Sequence, residues 1–371
     1  MSSKHKSAAA KQATVASPSF AATLIAWQRQ HGRNDLPWQN TRDAYRIWLS
    51  EIMLQQTQVS TVLPYFQRFL ERFPDVKQLA AADLDEVLQL WSGLGYYSRA
   101  RNLHRAAQQV VAEHGGRFPQ EREVLETLPG IGRSTAAAIA AFAYGRREAI
   151  LDGNVKRVLA RYGAVAGFPG DKKAADRLWA LAETLLPDTD IERGIESYTQ
   201  GLMDLGATLC TRTPDCARCP VRAGCAALAQ GAVASYPASR PKRINPTRQT
   251  GMLLLVHRGR VLLRQRPPMG LWGGLWVFPE MDGRDEEEGH SVAARLGCEL
   301  DTLEALPPLR HAFTHFTLDI TPLLGRVKAV QPAVNSGGNR WLGLEEALAA
   351  AVPTPVRTLL ERVQRKISGE V

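Results

Sequence analysis

The chain has 371 residues, of which 44% are hydrophobic and 22% are charged. At roughly 100–200 residues per domain, this length predicts two or three domains. The composition excludes collagen-like, wholly disordered and disulfide-scaffold proteins. No run approaches the ~20 uninterrupted apolar residues of a membrane-spanning helix, so we expect no membrane association. The net charge of +9 is compatible with a nucleic-acid partner, although many basic proteins bind none.

Residues 1–17 are rich in Lys, Ser and Ala and contain no apolar segment, so we do not expect them to form a secretory signal. We expect a disordered basic arm, with a transit peptide as the alternative. From residue 18 to 229, apolar residues recur with helical spacing between Gly/Pro punctuation, which predicts an all-α region.

Within this region, the segment 46–59 (RIWLSEIMLQQTQV) predicts a helix that carries an acidic residue among apolar neighbours. Partial desolvation of Glu51 there raises its expected pKa, which suits a general acid. The alternative is a solvent-facing glutamate on an amphipathic helix.

The segment 125–145 (LETLPGIGRSTAAAIAAFAYG) predicts a helix, a tight turn at PGIG and a second helix from Arg133. Gly130 and Gly132 allow the backbone N–H groups of the turn to point outward at an anion. The N-terminus of the second helix adds its dipole. The motif therefore predicts a DNA phosphate grip that reads no sequence, with an ordinary αα-hairpin turn as the alternative.

Asp152, in AILDGNVKRVLARY (149–162), follows a short apolar run and precedes Gly153 and a predicted helix. This position is typical of a helix N-cap. Two carboxylates in such environments, Glu51 and Asp152, could also divide the work of cleaving a glycosidic bond.

Four of the five cysteines lie within sixteen positions, in the pattern C-x5-C-x2-C-x5-C over 210–225. This clustering predicts a metal site in a reducing compartment. The spacing alone is compatible with zinc or with a [4Fe–4S] cluster. The proposed ligands are Cys210, Cys216, Cys219 and Cys225.

A basic linker is predicted at 230–250, where four basic residues accompany three prolines and no acid. From 251 to 368 the pattern changes to an α+β domain. MLLLVHRGRVLLRQR predicts a β-hairpin that turns at Arg258-Gly259, LWVFPE and HAFTHFTLDIT predict strands, and two helices are expected near 344–351 and 354–366.

These motifs occur together in the order found in a known family. SEIMLQQTQV, WSGLGYYSRARNLH, LPGIGRSTA, LDGNVKRVL, ESYTQGLMDLGA and the four cysteines resemble the MutY-type adenine DNA glycosylases over residues 20–365. That family belongs to the helix-hairpin-helix glycosylases related to endonuclease III. The resemblance implies a multi-domain fold: an all-α glycosylase region with a [4Fe–4S] loop, and a C-terminal α+β Nudix-like domain that senses 8-oxoguanine.

The resemblance also implies the catalytic residues. Glu51 matches the general acid that protonates adenine at N7 and later helps to activate water. Asp152 matches the carboxylate that stabilises the oxocarbenium ion, supported by a hydrogen bond from Asn154. Ser134 stands where endonuclease III-like relatives have the lysine that forms a Schiff base, so we expect a monofunctional glycosylase that does not cleave the strand.

For substrate and DNA contacts, the resemblance places Glu196 on the flipped adenine and Gln56 and Tyr96 as wedges that enter the duplex near 8-oxoguanine. Thr314 stands where many relatives have a serine that contacts 8-oxoguanine. The first cysteine loop is one residue shorter than the common family spacing. The complete set of predicted substrate- and DNA-contacting residues is Gln56, Thr57, Tyr96, Glu196, Trp38, Gly130, Gly132, Phe313, Thr314 and His315.

A hydrolytic Nudix domain needs a glutamate-rich helix, REUxEExGU, that holds Mg²⁺. The acids Glu286–Glu288 are not followed by a second acidic pair, so we expect a solvated loop there and a binding domain rather than a hydrolase.

The sequence therefore predicts a monomeric base-excision-repair glycosylase that flips and hydrolytically removes adenine mispaired with 8-oxoguanine or guanine in double-stranded DNA, leaving an abasic site. We expect it in the cytoplasm, associated with nucleoid DNA, if the source is bacterial. Three alternatives remain open. They are a Nudix pyrophosphohydrolase, a non-catalytic iron–sulfur DNA-binding protein and an endonuclease III-type glycosylase, which Ser134 disfavours.

Overall fold

The structure is a computed structural model that describes residues 19–188, 194–240, 245–331 and 338–368. The predicted basic arm at 1–17 and part of the predicted linker, 241–244, lie outside the described residues. The chain folds as two compact units. The first contains the described residues before Asp43 and those from Arg133 to Arg240; the second contains Asp43–Gly132 and the described residues from 245 onward. The predicted domain boundaries remain a proposal.

The region before residue 230 is helical in its described residues, as predicted. A π-helical turn, Leu205–Leu209, continues α11. The helices are α1 (Phe20–His31), α2 (Ala44–Leu54), α3 (Val59–Arg72), α4 (Val76–Ala81), α5 (Leu84–Leu90), α6 (Ser98–His114), α7 (Arg122–Leu125), α8 (Arg133–Tyr144), α9 (Gly153–Tyr162), α10 (Lys172–Thr184), α11 (Gly194–Asp204) and α12 (Ala226–Ala229).

Small residues form the buried face of α8, where six alanines and Ile139 are buried. Because alanine has no side chain beyond Cβ, neighbouring elements can approach this helix closely. In the first unit, α8 contributes to one apolar core with α1, α9 and α11, in which Phe20 lies 6.2 Å from Tyr198, ring centre to ring centre. This core supports the segment 149–151 that leads to Asp152.

The described residues from 245 onward contain an eight-stranded sheet. The predicted hairpin is confirmed: β1 and β2 pair antiparallel with Val256 opposite Val261, and both turn residues, Arg258 and Gly259, have positive φ. The elements are β1 (Thr247–His257), β2 (Arg260–Gln265), β3 (Trp276–Val277), β4 (Glu280–Met281), α13 (Glu286–Arg295), β5 (Cys298–Ala305), β6 (Leu309–Ala312), β7 (Thr317–Val330), β8 (Asn339–Gly343), α14 (Leu344–Ala349) and α15 (Thr354–Ser368).

The strand order along the sheet is β3-β2-β1-β7-β5, with β4 on β1, β6 on β7 and β8 on β2. β1 and β7 run parallel, with Thr247 opposite Thr317. One face of the sheet packs with α13 around an apolar cluster that includes Leu255, Leu262 and Val292. The sheet fixes the turn between β6 and β7, which carries the predicted sensor residues.

Two local expectations are wrong. Glu286–Glu288 form the first turn of α13 rather than a loop, because Asp285 accepts a hydrogen bond from the N–H of Glu288 (2.9 Å) and acids at a helix N-terminus are stabilised by its dipole. The rest of α13 carries no acidic residue. HAFTHFTLDIT is not one strand, since 313–316 form a tight turn closed by the N–H of Phe313 on the carbonyl of Phe316 (2.8 Å).

No described helix is both long enough and apolar enough to span a bilayer.

Candidate functional site

Glu51 lies on α2, whose N-terminus is capped by Asp43 through the N–H of Tyr45 (2.9 Å). Its chain neighbours Ser50 and Ile52 are 1% and 2% exposed, whereas Glu51 itself is half-buried. The predicted helix around Glu51 is confirmed, although α2 ends at Leu54 and a second helix, α3, begins at Val59. A half-buried carboxyl beside buried neighbours can reach a substrate while being partly shielded from water.

Asp152 belongs to the first unit and caps α9, so the predicted N-cap is confirmed. One carboxylate oxygen accepts a hydrogen bond from the N–H of Val155 (2.7 Å). Burial raises the pKa of Asp152, although hydrogen bonds from the backbone of Val155 and Asn154 and the nearby charges of Arg157 and Lys156 oppose this rise. The capping bond fixes the carboxylate in place, and burial makes its negative charge costly. A developing cation beside it would relieve that cost.

Ser134 and Asn154 take positions that the sequence did not predict. The Ser134 hydroxyl accepts a hydrogen bond from the N–H of Leu151 (2.9 Å), so it fixes the residue that precedes Asp152. The Asn154 side-chain oxygen accepts from Arg157 (2.9 Å), and it is the Asn154 backbone that supports Asp152. The role of the Asn154 side-chain amide stays a prediction.

The helix-hairpin-helix turn has the expected order of elements, with α8 beginning at Arg133. Gly130 has a φ of +81°, and a Cβ there would lie 2.9 Å from the Cβ of Asn102. Gly132 has open space around its Cβ position. The first glycine is therefore required by conformation and close packing, whereas the second leaves the backbone accessible to a phosphate.

Gln56 and Tyr96 are both exposed and both have left-handed backbone conformations, with φ of +59° and +49°. They line one cavity of about 210 Å³ in the second unit, together with Pro129 and Gly130 of the hairpin turn. The Thr57 hydroxyl accepts a hydrogen bond from Arg99 (3.1 Å). The structure thus brings the two predicted wedge residues and the hairpin turn around one opening.

The predicted sensor residues lie in the turn between β6 and β7. Phe313 stacks on Phe316 with ring centres 4.4 Å apart, and the exposed Thr314 and His315 lie between them in the chain. The Thr314 hydroxyl lies 3.4 Å from the hydroxyl of Tyr96. A sensor residue and a wedge residue are therefore in contact, which the sequence did not predict.

Glu196 and Trp38, both in the first unit, are less accessible to DNA than the sequence predicts. Glu196 forms an ion pair with Arg42 (2.8 Å). Trp38 is 8% exposed, so little of its indole is accessible to a base. Contact of either residue with DNA stays a prediction.

The four clustered cysteines line one largely apolar cavity with Val158, Leu205 and Val221. Arg161 donates to the sulfur of Cys210 (3.4 Å) and to the carbonyl of Thr211 (2.7 Å). Burial and then the neighbouring thiols raise the pKa of Cys219 to about 11. Among the described residues, no three His, Cys, Asp or Glu side chains converge as ligands of one ion.

Three arginines with structural roles at these sites were missed. Arg157 and Arg161 donate to the backbone around Cys210, and the buried Arg99 donates to the loops of Gln56 and Tyr96. Arginines on predicted helices read as solvated charges, so the only signal was their position inside the motifs LDGNVKRVLAR and GYYSRAR.

Comparison with known proteins agrees with this architecture. Residues 49–184 match the HhH-GPD superfamily of base excision DNA repair proteins, and residues 251–362 match the NUDIX domain. The solved structure of a thermostable thymine-DNA glycosylase has 30% identity and a TM-score of 0.51, covering 57% of this chain and 95% of that one. The helical fold and the hairpin thus define a base excision DNA repair protein.

The relatives that match most of the chain narrow this class. The adenine DNA glycosylase of Buchnera aphidicola (subsp. Acyrthosiphon pisum) is 35% identical over 350 residues, which cover 94% of this chain and 98% of that protein. The human adenine DNA glycosylase is 34% identical, with 94% of this chain and 75% of that protein covered. The chain belongs to the adenine DNA glycosylase family.

Proposed function

We propose that the protein removes adenine from mispairs with 8-oxoguanine or guanine in double-stranded DNA and leaves an intact abasic site. The observation that carries this proposal is the Asp152 carboxylate, held at the N-terminus of α9 with a pKa raised by burial. When a glycosidic bond breaks, its sugar carbon becomes cationic. A fixed carboxylate that is poorly solvated stabilises that positive charge strongly. The family relationship indicates that the nucleobase removed is adenine.

In this mechanism, Glu51 donates a proton to N7 of adenine, which makes the base a better leaving group. The bond between C1′ and adenine N9 breaks, and its electron pair leaves with the base. Asp152 stabilises the resulting oxocarbenium ion, and one of its carboxylate oxygens then forms a transient bond to C1′. Water attacks C1′ and breaks that bond, so that the Asp152 carboxylate is released. Glu51 accepts the proton of the attacking water, and the sugar hydroxyl of the abasic site is formed.

The reaction stops at the abasic site because Ser134 provides no amine. Strand cleavage through a Schiff base requires a lysine, whereas the Ser134 hydroxyl is engaged by the N–H of Leu151 (2.9 Å). We therefore assign a monofunctional activity.

DNA is held by the hairpin turn and opened by the wedge residues. Gly130 has a left-handed backbone conformation and Gly132 has open space around its Cβ position, which supports a turn that presents backbone N–H groups to a phosphate. Gln56 and Tyr96, exposed on neighbouring loops, fill the space that the extruded adenine leaves. Glu196 would leave Arg42 to contact the flipped adenine, and Trp38 would contact DNA only after local rearrangement.

The opposite base is recognised by the turn 313–316. Thr314 and His315 are exposed on a turn that the stacked rings of Phe313 and Phe316 hold rigid. A hydroxyl on a rigid turn can donate to or accept from the modified edge of 8-oxoguanine, which supports discrimination from guanine.

The four cysteines fit an iron–sulfur cluster. A [4Fe–4S] cluster places each thiolate on its own iron, so the sulfurs need not converge as they would on a single zinc ion. The largely apolar lining of the cavity and the N–H donor of Arg161 beside Cys210 suit a buried cluster. When bound, the cluster would hold the loop 210–225 in place and with it the exposed Arg218, which would exchange its ion pair with Asp215 (3.7 Å) for a DNA phosphate.

We further propose that a single chain acts on its own, since every residue assigned above belongs to it. If the source is bacterial, the DNA substrate places the protein in the cytoplasm with the nucleoid.

A strand-scission assay tests the function. Duplexes with one end-labelled adenine strand are prepared with 8-oxoguanine, guanine or thymine opposite the adenine, incubated with the protein, and then treated with or without alkali. We expect alkali-dependent cleavage at adenine opposite 8-oxoguanine and guanine, and none opposite thymine.

Cleavage without alkali, together with a borohydride-trapped adduct, would instead indicate an endonuclease III-type lyase. Binding without cleavage would indicate a non-catalytic DNA-binding protein. Hydrolysis of nucleoside diphosphates or triphosphates with Mg²⁺ would indicate a Nudix hydrolase.

A further inference from the structure

Arg99, the second residue of α6, is 7% exposed. It donates hydrogen bonds to acceptors on both of the loops that carry the predicted wedge residues. No carboxylate lies within ion-pair distance of Arg99 in the part of the chain that the structure describes, so backbone carbonyls and one hydroxyl solvate its charge. Nη1 donates to the carbonyls of Ile52 (3.0 Å), Met53 (2.7 Å) and Gln55 (2.7 Å), and Nη2 to the Thr57 hydroxyl (3.1 Å) and the carbonyls of Leu94 (3.1 Å) and Gly95 (3.2 Å).

Two of these acceptors immediately precede the wedge residues in the chain. The carbonyl of Gln55 belongs to the peptide that leads into Gln56, and the carbonyl of Gly95 to the peptide that leads into Tyr96. Gln56 and Tyr96 both have positive φ, which is unfavourable for residues with a Cβ. One guanidinium therefore fixes the peptide before each of two strained residues.

The remaining contacts of Arg99 connect these loops to α2. The carbonyls of Ile52 and Met53 lie in the last turn of α2, the helix that carries Glu51. Such carbonyls have no partner within the helix, and a cation there also interacts favourably with the helix dipole. Because one side chain binds the end of α2 and both loops, the positions of the loops are fixed relative to that helix.

The neighbours of Arg99 contact two C-terminal loops of the same unit. The Tyr97 hydroxyl donates to the carbonyl of Val352 (3.1 Å), and Arg101 donates to the carbonyl of Gly273 (2.7 Å). The start of α6 thus contacts the wedge loops and also the segments around Gly273 and Val352.

We propose that Arg99 is the positioning residue that holds Gln56 and Tyr96 in the conformation in which they enter the duplex. This inference rests on the proposed function, because it takes these two residues as wedges. Lysine cannot replace arginine in this role. Its ammonium group is a single point with three donors, whereas the six acceptors lie at the end of α2 and on two loops and are bound by the two separate terminal nitrogens, Nη1 and Nη2, of a planar guanidinium. Among the described residues, Nε of Arg99 has no hydrogen-bond partner.

The test is a double-mutant cycle on the full chain. Single-turnover rates of adenine release opposite 8-oxoguanine are measured at saturating protein for wild type, R99K, the pair Q56A/Y96A, and the triple variant. A displaced wedge should slow release by about 10–100-fold in R99K. In the Q56A/Y96A background R99K should cost less than about threefold, since the side chains that it positions are gone. Equal losses in both backgrounds would show a general structural role and overturn the proposal.

A second readout requires no catalysis. A 2-aminopurine next to the mispair gains fluorescence when a wedge unstacks it. R99K should lose most of the gain seen with wild type while still binding the duplex. A gain equal to that of wild type would also overturn the proposal. If wild type gains fluorescence but releases no adenine, the proposed function fails while this inference stands.

Two variants separate positioning from stability. Arg33 binds the buried Asp204 (2.7 Å), so R33K perturbs another arginine with a buried partner and should lower the thermal midpoint without changing the fluorescence gain.

If R99K does not fold, T57V removes one acceptor while Arg99 stays, and it should show the same non-additivity with a smaller loss. An additive T57V would overturn the proposal.

Discussion

The helical region and the C-terminal domain differ in what they bury. Every polar or charged side chain that is buried in the described residues lies before residue 205. The set is Gln28, Ser50, Arg99, His104, Arg161, Thr199, Gln200 and Asp204. The buried side chains between residues 245 and 368 are apolar.

This difference indicates where chemistry resides. A buried polar group destabilises a fold unless it is hydrogen-bonded. A region that retains several such groups is therefore expected to use their fixed charges and dipoles in its function. Asp204 bound by Arg33, Arg99 bound by six acceptors and the half-buried Asp152 belong to that region. A sheet with an apolar core is instead a rigid support, and its specific contacts must come from exposed turns such as 313–316.

The largest effect should come from the proton donor. Glu51→Gln keeps the shape and hydrogen-bonding capacity of the side chain on α2 but removes its proton. Single-turnover release of adenine should fall about 10²–10⁴-fold, the usual contribution of general acid catalysis, while affinity for the mispaired duplex is kept. Glu71→Gln, an exposed residue on α3, serves as the matched control. Near-normal release by the Glu51 variant would contradict the assignment.

Asp152→Asn should reduce release by about 10²–10³-fold, because the charge that faces the sugar cation is lost. Asparagine caps helices as well as aspartate does, so the N-terminus of α9 should remain intact. The variant should also be at least as stable as wild type at neutral pH, measured as its thermal midpoint. A large drop in the midpoint would mean that the residue serves the fold rather than the reaction.

The pH dependence follows from the raised pKa of Asp152. A carboxyl whose pKa is raised by folding stabilises the native state while it is protonated, and this contribution is lost as the pH rises through the folded pKa. The stability advantage of Asp152→Asn should therefore shrink as the pH falls toward that pKa. Over the same range, wild-type activity should decline, since the ionised form is needed. An activity that is constant through this acid range would exclude the ionised carboxylate from the mechanism.

A smaller effect is expected from the C-terminal domain. Thr314→Val keeps the shape of the side chain and removes its hydroxyl. If that hydroxyl reads the opposite base, the ratio of release rates opposite 8-oxoguanine and guanine should fall roughly tenfold, within the range of one directional contact, with little change in the rate opposite guanine. Thr302→Val, exposed on β5, provides the control. An unchanged ratio would locate discrimination at Gln56 and Tyr96 instead.

The smallest effect on the chemical step is expected at the cysteines. Cys219→Ser should lose most of its iron and the visible absorbance of an iron–sulfur cluster, and should weaken DNA binding by about tenfold through loss of charged loop contacts. The release rate at saturating protein should change little. Cys298→Ser, a lone buried cysteine in the C-terminal domain, should behave as wild type. Wild-type protein that contains zinc and no iron would refute the cluster.

Sequence patterns were sufficient for features that depend on local spacing. The hairpin turn after residue 128, the N-cap at Asp152 and the β-turn at Arg258-Gly259 each depend on a few adjacent residues with restricted backbone choices. Contacts between distant segments were not accessible in this way. Nothing adjacent to Arg99 indicates that four of its six partners lie about 45 residues earlier, and the ion pair of Arg42 with Glu196 spans 154 positions.

The expected loop at Glu286–Glu288 failed for a related reason. These acids do not complete a metal-binding motif, but Asp285 caps the helix, and acids are favourable in a first helical turn. An acidic cluster that directly follows a potential N-cap residue is therefore better predicted as the first turn of a helix than as a solvated loop.

The central claim is that this chain removes adenine, and the most direct measurement identifies the base that is released. Duplex with a single adenine opposite 8-oxoguanine is incubated with the protein, and the small-molecule fraction is analysed by chromatography and mass spectrometry. We predict one equivalent of adenine per duplex, no 8-oxoguanine, and none of either base from a matched A:T duplex. Release of 8-oxoguanine, or of no base from a duplex that the protein binds, would contradict the account.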